Sequence, residues 1–196
     1  MTSGATRKIE IGCGRKPREG YESCDIRAIP GVDHICEAGK LPFEDGTIDE
    51  IYTRHLIEHF TLKEFIEVLA EWNRVLATGG VLYVITPNLL WHAKQLLEGS
   101  HESFYTTQRG QNDRYWAFGS IFGWQQDEHD IHKFGYYYEL LKDILHEAGF
   151  GDVENRTNTP ESIEQAEHHL EVRALKTSSF TEPHNSRFFS HLNVTH

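Results

Sequence analysis

The sequence predicts an α/β fold, with a mostly parallel sheet, one or two antiparallel edge strands and a shortened first crossover. An apolar strand at about residues 7–12 runs into a glycine turn, Gly12-Cys13-Gly14. A second short strand at about residues 22–25 ends in Asp25. An amphipathic helix after Thr61 then leads into another apolar strand. Strands that alternate with turns and helices in this way are typical of a parallel sheet.

Composition limits the class of protein. The chain has 196 residues, 38% of them hydrophobic and 25% charged, which is ordinary for one soluble domain. It has no apolar run near the roughly 18 residues of a transmembrane helix, and no apolar signal region begins it. We therefore expect a cytoplasmic protein, and three cysteines that stay reduced because they form no CxxC pair. The formal charge of −11 disfavours nucleic acid, whose binding proteins present a basic face.

The other elements follow from periodicity and from glycine positions. Further strands are predicted at residues 32–36, 49–53 and 81–86. Thr61 and Glu64 have the spacing of a capping box, and apolar residues then recur at helical spacing up to Leu76. Gly79-Gly80 is expected to end this helix. A second helix is predicted at residues 137–147, and an antiparallel hairpin at 152–156 and 170–175, in a sheet covered on both faces.

The glycine turn indicates which ligand binds. Glycines let the backbone approach a ligand closely, and an acid at the next strand end, Asp25, can accept both hydroxyls of a ribose. The third glycine of a dinucleotide fingerprint is replaced by Pro17. About ten residues separate the two strands, too few for a crossover helix. Glu10 beside the turn suits an ammonium group better than phosphates, so S-adenosylmethionine (SAM) fits better than NAD.

Seven motifs then occur in a fixed order. They are Glu10-Ile11-Gly12-Cys13-Gly14, Cys24-Asp25-Ile26, Leu41–Asp49, His55-Leu56-Ile57-Glu58-His59, Glu71–Leu76, Gly79–Leu82 and Thr86-Pro87-Asn88. In this order the chain resembles the class I SAM-dependent methyltransferases, especially the small bacterial ones related to the "type 11" group. The resemblance runs from Lys8 to about Asn88 and again from His132 to Phe150. Because it lacks a helix between the first two strands, the chain resembles in particular a compact subgroup that is often associated with polysaccharide and other sugar-linked pathways.

The resemblance implies a Rossmann-like methyltransferase sheet and a set of SAM contacts. Glu10 would orient the turn or meet the methionine ammonium, and the turn of Gly12, Cys13 and Gly14 would give backbone access. Asp25 would take the ribose hydroxyls, unless it only caps a turn. The residues expected to border the adenine are Glu37, Ala38 and Leu41, and His55 would lie close to the methionine moiety.

Histidines are the candidate catalytic bases. His132 is the first choice, because it comes just before the helix predicted at residues 137–147. In related sugar-pathway enzymes a histidine before this helix often faces the reaction centre. His55 is the second, and both could instead be hydrogen-bonded structural residues. The cluster around His132, with Asp127 and Glu128, could also hold Mg²⁺, since carboxylate oxygens suit that ion.

Residues 90–131 form an aromatic-rich insertion after the fifth strand, where open α/β sheets bind ligands. We predict a substrate wall here, with a small auxiliary core or a dimer contact as alternatives. The predicted substrate-binding residues are Asn88, Trp91, Tyr115, Trp116, Trp124 and His129. The methyltransferase domain would span residues 1–176, and the polar tail 177–196 would be disordered or pack on a partner chain.

His55-Leu56-Ile57-Glu58-His59 also matches the H-x-x-E-H signature of inverted zinc peptidases. That function would need both histidines on one helix and a third ligand elsewhere. Because this motif directly follows a buried strand and belongs to the methyltransferase resemblance, we do not expect a peptidase.

The sequence therefore predicts a SAM-dependent methyltransferase that forms an O-methyl ether on a saccharide or a glycosylated small molecule. N- or C-methylation of a small metabolite is the alternative within enzymes. A catalytically silent SAM-binding protein that scaffolds a biosynthetic complex is the alternative from another class. The expected partners are a small-molecule or saccharide acceptor and, in a homodimer, a second copy of the chain, without nucleic acid.

Overall fold

The computed structural model describes residues 6–101 and 114–188, and these form a mixed sheet of seven strands in the order β3-β2-β1-β4-β5-β7-β6. The strands are β1 (Lys8–Ile11), β2 (Glu22–Asp25), β3 (His34–Ile35), β4 (Ile48–Arg54), β5 (Leu76–Pro87), β6 (Phe150–Asn155) and β7 (His169–Lys176). The first five run parallel, and β7 pairs antiparallel with both β5 and β6. The predicted sheet with an antiparallel edge hairpin is confirmed.

The helices of the described chain are α1 (Leu62–Val75), α2 (Leu89–Glu98), α3 (Arg114–Phe122) and α4 (Tyr138–Glu147), with short 3₁₀ turns at Ile57–His59 and Pro183–Asn185. The capping box is confirmed, because the Thr61 side chain accepts from Glu64 N and the Glu64 carboxylate accepts from Thr61 N. The expectation that Gly79-Gly80 ends α1 is wrong. Leu76 is already extended, fully buried and paired with Ile48, so this long-range contact begins β5 early.

The two faces of the sheet are covered in different ways. On one face, α1 and α4 pack Trp72 and Leu145 into an apolar cluster with Ile51 and Leu82. On the other, Tyr52 at 3% exposure packs between Tyr21 and Tyr83, and the Arg18 guanidinium lies 4.6 Å from its ring centre. Arg18 and Tyr21 belong to the loop between β1 and β2, which contains no helix, as predicted.

Buried carboxylates hold the loops that lie over this second face. Glu10, 7% exposed, accepts a hydrogen bond from Arg18 N at 2.6 Å. Glu171, fully buried, accepts from Ile163 N at 2.8 Å and from Glu164 N at 2.7 Å. A buried carboxylate that accepts hydrogen bonds from backbone N–H groups anchors a loop that has no regular structure.

The insertion and the tail both pack on the chain. Helices α2 and α3 belong to the insertion and contact each other, while Phe104 and Tyr105 lie outside the described residues. In the tail, the Asn73 side chain donates to Ser178 O at 2.9 Å and accepts from Phe180 N at 3.1 Å. Residues 177–188 therefore dock on their own domain, and 189–196 lie outside the described part. None of the helices described is both long and apolar enough to cross a bilayer.

Candidate active site

A cleft of about 920 Å³ lies at the carboxyl ends of β1 to β4. Its volume is within the range of small-molecule sites. One wall comes from the strand ends and the turns that follow them, and the other from Trp124 and residues 126–131 with Lys133. The predicted site residues that line it are Gly12, Asp25, Glu37, Ala38, His55, Trp124 and His129.

The glycine turn after β1 is held by the end of β2. Gly12 N and Cys13 N both donate to Cys24 O, at 2.8 and 3.2 Å. Gly12 has a φ of +74° and Gly14 a φ of +61°, backbone conformations that residues other than glycine rarely adopt. A Cβ at Gly12 would lie 3.1 Å from the Leu56 side chain. The turn therefore leaves bare backbone at the cleft, as a closely bound nucleoside requires.

Asp25 is the buried acid at this end of the cleft, with its side chain 3% exposed. It accepts from Gly14 N at 2.8 Å, from Arg27 N at 2.9 Å and from Arg27 Nε at 3.0 Å. Burial alone would raise the pKa of this carboxyl, but the hydrogen bonds from Arg27 and Gly14 lower it below its usual value. Asp25 is thus an ionised acceptor that Arg27 partly occupies in this structure.

Four of the predicted cofactor residues are not among those that line the cleft: Glu10, Cys13, Gly14 and Leu41. Gly14 N instead donates to Asp25 at 2.8 Å. Glu10 accepts a hydrogen bond from Arg18 N, in the loop that follows the turn, and does not line the cleft. Its expected contacts with the turn or the methionine ammonium stay predictions. Cys13 is buried, and burial raises the pKa of its thiol to about 11. Leu41, 5% exposed, belongs to the apolar core, and its N–H donates to Glu71.

His55 and Glu58 form a hydrogen-bonded pair beside the cleft. His55 Nδ1 lies 3.1 Å from Glu58 Oε1, and Thr86 Oγ1 donates to Glu58 Oε2 at 2.9 Å. Burial would raise the pKa of the Glu58 carboxyl, but the hydrogen bond from His55 and the electrostatic interactions with the His55 and His132 rings lower it. A carboxylate can only accept, so Nδ1 carries the proton and Nε2 of a neutral ring is free to accept one.

The backbone at His55 is itself unusual, with φ +51°. A residue other than glycine in this region costs free energy and persists only where its surroundings hold it. Here His55 N donates to Ile85 O at 2.8 Å, and the ring packs 4.8 Å from that of His169. Burial lowers the pKa of His169 to about 3, so this neighbour is a neutral imidazole.

His132, the first choice as base, lines a different space. It borders an interior cavity of about 10 Å³, shared with Glu58, Thr86 and His92. His132 Nδ1 lies 2.9 Å from Ser120 O, and its ring packs against that of His59, 4.9 Å away. Burial lowers the pKa of His132, although the Glu58 carboxylate opposes this. His132 is thus next to Glu58 but is not part of the large cleft.

The predicted substrate wall divides into two groups. Trp124 lines the cleft and packs against Tyr115 at 5.4 Å, and His129 is exposed there. Trp91 and Trp116 instead pack on each other at 5.8 Å and on His168, as a small aromatic core would. The Asn88 side chain caps α2 and donates to Glu167 O at 3.0 Å.

The motif H-x-x-E-H does not form the helix of an inverted zinc peptidase. His55 follows β4 in an irregular conformation, and only Ile57–His59 is helical, as one 3₁₀ turn. The two histidines therefore do not share a helix face. Among the described residues, Asp127 and Glu128 do not belong to a group of three potential metal ligands. No cluster of ligand atoms therefore supports the predicted magnesium site.

Charge on the cleft is mainly negative, which the sequence motifs did not predict. The acids that line it are Asp25, Glu37, Glu64, Glu67, Asp127, Glu128 and Asp130. The cations Arg27 and Lys133 are already paired, with Asp25 at 3.0 Å and Glu64 at 3.2 Å. Lys133 and Glu64 are far apart in sequence, so no local pattern predicted that they would pair.

Comparison with known families and structures fits this geometry. A family described as "Methyltransferase domain" matches residues 21–84, about a third of the chain. No curated protein matches the chain. Solved structures with the same fold cover most of it. They include the CurJ carbon methyltransferase, with a TM-score of 0.58, 16% identity, and 91% of this chain and 50% of that chain covered.

Two further structures have comparable similarity. A SAM-dependent methyltransferase from Thermotoga maritima, described as a possible histamine N-methyltransferase, has a TM-score of 0.57 and 18% identity, covering 88% of this chain and 83% of that chain. Haemonchus contortus phosphoethanolamine N-methyltransferase 2, in complex with phosphomonomethylethanolamine and S-adenosylhomocysteine, has a TM-score of 0.53 and 15% identity, covering 89% and 49%. The chain thus spans about half the length of two of the three structures.

At these identities the likeness shows the fold, which is the Rossmann-like sheet of class I methyltransferases. The matched domain includes β2, β3, β4, α1 and most of β5, and the carboxyl ends of β2, β3 and β4 lie at the cleft. Together, the matched methyltransferase domain, the fold, the bare glycine turn and the acid at the end of β2 support a SAM-dependent methyltransferase with SAM as its cofactor.

Proposed function

We propose that this chain transfers the methyl group of SAM to a hydroxyl of a saccharide or of a glycosylated small molecule. The observation that carries the proposal is the His55–Glu58 pair, because His55 lines the cleft and Glu58 orients it from behind. The turn at Gly12 and the carboxylate of Asp25 would hold the nucleoside part of SAM. Glu37 and Ala38 would border its base.

An alcohol acceptor needs a base in addition to alignment. SAM, when bound, supplies a methyl carbon that its sulfonium already makes electrophilic. His55 Nε2 would take the proton of the acceptor hydroxyl while the hydroxyl oxygen attacks that carbon, and the carbon–sulfur bond would break to leave S-adenosylhomocysteine. Glu58, held by Thr86, would stabilise the imidazolium that results, as an orienting carboxylate does in other acid–base pairs. The position of His55 in the cleft supports it over His132 as this base.

The saccharide assignment is supported by the wall opposite the strand ends. The Trp124 indole, backed by Tyr115, offers an aromatic face of the kind that packs on the C–H faces of sugars. Gln126 and Asp130 beside it bring hydrogen-bonding groups to the same wall. A polyhydroxylated acceptor would use both kinds of contact.

A second candidate is N-methylation of a cationic amine. The negative charge of the cleft favours it, because the acids of the wall greatly outnumber its cations and attract positive ligands. An amine nitrogen in its free-base form can attack without a strong base. The two candidates therefore differ in how much activity depends on His55.

The cofactor is tested by calorimetric titration of the full chain with SAM, S-adenosylhomocysteine and, as a control, NAD. Binding of the first two without NAD would support a SAM-dependent enzyme. A folded protein that binds none of them would contradict the assignment.

The acceptor is tested by release of S-adenosylhomocysteine from SAM in the presence of panels of saccharides, glycosides and small amines. Turnover with a saccharide supports the proposal, and turnover with amines alone supports the second candidate. SAM binding without turnover on any acceptor would favour a catalytically silent partner protein.

A further inference from the structure

We propose that Glu58, His59 and His132 bind a divalent transition metal of the Zn²⁺ class, in the wall between the cleft and the interior cavity. One ligand atom from each of the three residues lies within 4.8 Å of the other two. Two imidazoles with one carboxylate are a ligand set of catalytic zinc and of non-haem iron sites. This inference makes no assumption about the acceptor, and it shares Glu58 with the His55–Glu58 pair proposed above.

The orientation of both rings suits a metal. His59 Nδ1 lies 3.1 Å from Ile131 O, and His132 Nδ1 lies 2.9 Å from Ser120 O. A carbonyl can only accept, so each Nδ1 carries the proton and each Nε2 keeps a lone pair. Histidines that bind metals commonly donate their other N–H to a backbone carbonyl, which fixes the tautomer and the ring plane.

The carboxylate is equally constrained. Glu58 is 1% exposed, with Thr86 Oγ1 on one oxygen and His55 Nδ1 close to the other. A buried anion of this kind is stabilised by cations or by metals. With zinc–ligand distances near 2.1 Å in a tetrahedron, ligand atoms lie about 3.3 Å apart. Shortening the separations between the ligand atoms from at most 4.8 Å to about 3.3 Å needs only small rotations of the side chains.

The interior cavity supplies a second observation. Glu58, His132 and His92 all line it, and its volume of about 10 Å³ is close to that of one water-sized sphere. His92 is 1% exposed, and its Nδ1 has no hydrogen-bond partner among the described residues. A buried unpaired acceptor in a cavity that two of the three ligand residues line points to a water there, which would be the fourth ligand of a three-residue zinc site.

The site would join two segments that are far apart in sequence. Glu58 and His59 follow β4, whereas His132 belongs to the segment that forms the outer cleft wall. Lys133 N and Phe134 N already donate to Glu58 O, at 2.8 and 3.2 Å. The metal would therefore fasten the cleft wall to the edge of the sheet. The motif H-x-x-E-H thus contributes its last two residues, with His55 outside the ligand set.

The test is a titration of the metal-stripped full chain, prepared without a histidine tag, with Co²⁺, followed by the visible bands of the bound ion. We expect saturation at one equivalent and displacement by Zn²⁺. Replacement of His59 or His132 by Ala should weaken Co²⁺ binding by at least about 100-fold, more than the loss of an outer-shell partner does. Glu58→Gln, which preserves shape, should do the same.

The matched control is His146→Gln, because His146 is exposed on α4 and outside the cluster. It should bind Co²⁺ as the parent chain does, and circular dichroism would show that each variant is folded. Absence of saturable bands in the parent chain would overturn the proposal. If both folded alanine variants bind Co²⁺ as tightly as the parent chain does, the proposal is overturned as well, whatever the result of the methyl-transfer assays.

Discussion

The two halves of the cleft are built in opposite ways. The cofactor half is the turn at Gly12–Gly14 with Asp25. Main-chain N–H groups of the turn donate to Cys24 O and to the Asp25 carboxylate, all within a segment of 14 residues. The acceptor half is His55, Glu58 and the wall from Trp124 to Lys133. Its contacts are between side chains from three distant segments, such as Thr86 to Glu58 and Lys133 to Glu64.

This difference shows how each half depends on the fold. Local spacing and glycine conformation are enough to form the first, because the partners are neighbours on adjacent parallel strands. The second exists only when the insertion has packed over the sheet edge. We therefore expect substitutions in the acceptor half to affect turnover most, and substitutions in the cofactor half to affect SAM binding.

The largest effect is expected for His55→Asn. Asn tolerates the positive φ at this position better than other residues, so the backbone should be preserved. Loss of a general base should lower kcat on a hydroxyl acceptor by about 10²- to 10⁴-fold. The Kd for SAM, measured by calorimetry, should change much less.

His132→Asn is the comparison for that experiment, and His146→Asn is the control for loss of a histidine elsewhere. The first should lower kcat by less than His55→Asn does, since His132 lines the interior cavity. If the order of the two effects is reversed, His132 is the base and the assignment of His55 is wrong.

Asp25→Ala should weaken the binding of SAM and S-adenosylhomocysteine by about 10- to 100-fold, because hydrogen bonds to a charged group contribute about 1.5–3 kcal/mol. Asp33→Ala is the matched control. It removes a nearby acid, but one that bonds Ser23 and does not line the cleft. Equal losses in the two variants would mean that β2 is merely destabilised, which would contradict a specific ribose contact.

Sequence reasoning succeeded where the determinant is local. The capping box of α1, the glycine turn and the missing first helix all follow from spacing within about ten residues. It failed at Leu76, because pairing with Ile48 across the sheet decides where β5 begins. Aromatic composition predicted a substrate wall, yet Trp91 and Trp116 pack on each other, since composition cannot distinguish a binding surface from internal packing.

We also expect acid sensitivity at the interior cavity, which Glu58 of the acceptor half borders. His92 is buried there with His168, His55 and His132 as its titratable neighbours, and burial lowers its pKa to about 4. The unfolded chain, with a pKa near 6.5, gains the proton first as the pH falls. Stability present at neutral pH is therefore lost between about pH 6.5 and 4, with about 2 kcal/mol lost by pH 5.

The measurement is urea unfolding of the parent chain and of His92→Phe at pH 7 and pH 5. The variant loses the contact of Nε2 with His168 O, so its stability should be lower at pH 7. Between pH 7 and pH 5, the free energy of unfolding should fall by about 2 kcal/mol less in the variant than in the parent chain. An identical pH effect in both proteins would show that His92 does not carry the acid sensitivity.

The smallest effect concerns Arg27, which the sequence motifs did not single out. Its guanidinium occupies Asp25, but the side chain is 48% exposed, so the ion pair contributes at most about 1 kcal/mol. If the ribose must displace this contact, Arg27→Ala should tighten SAM binding by up to about fivefold. Lys40→Ala, which removes a nearby positive charge outside the cleft wall, should leave the Kd unchanged. Weaker binding in Arg27→Ala would instead assign Arg27 a direct contact with the ligand, and the cofactor half would then depend on an exposed side chain as well as on its backbone.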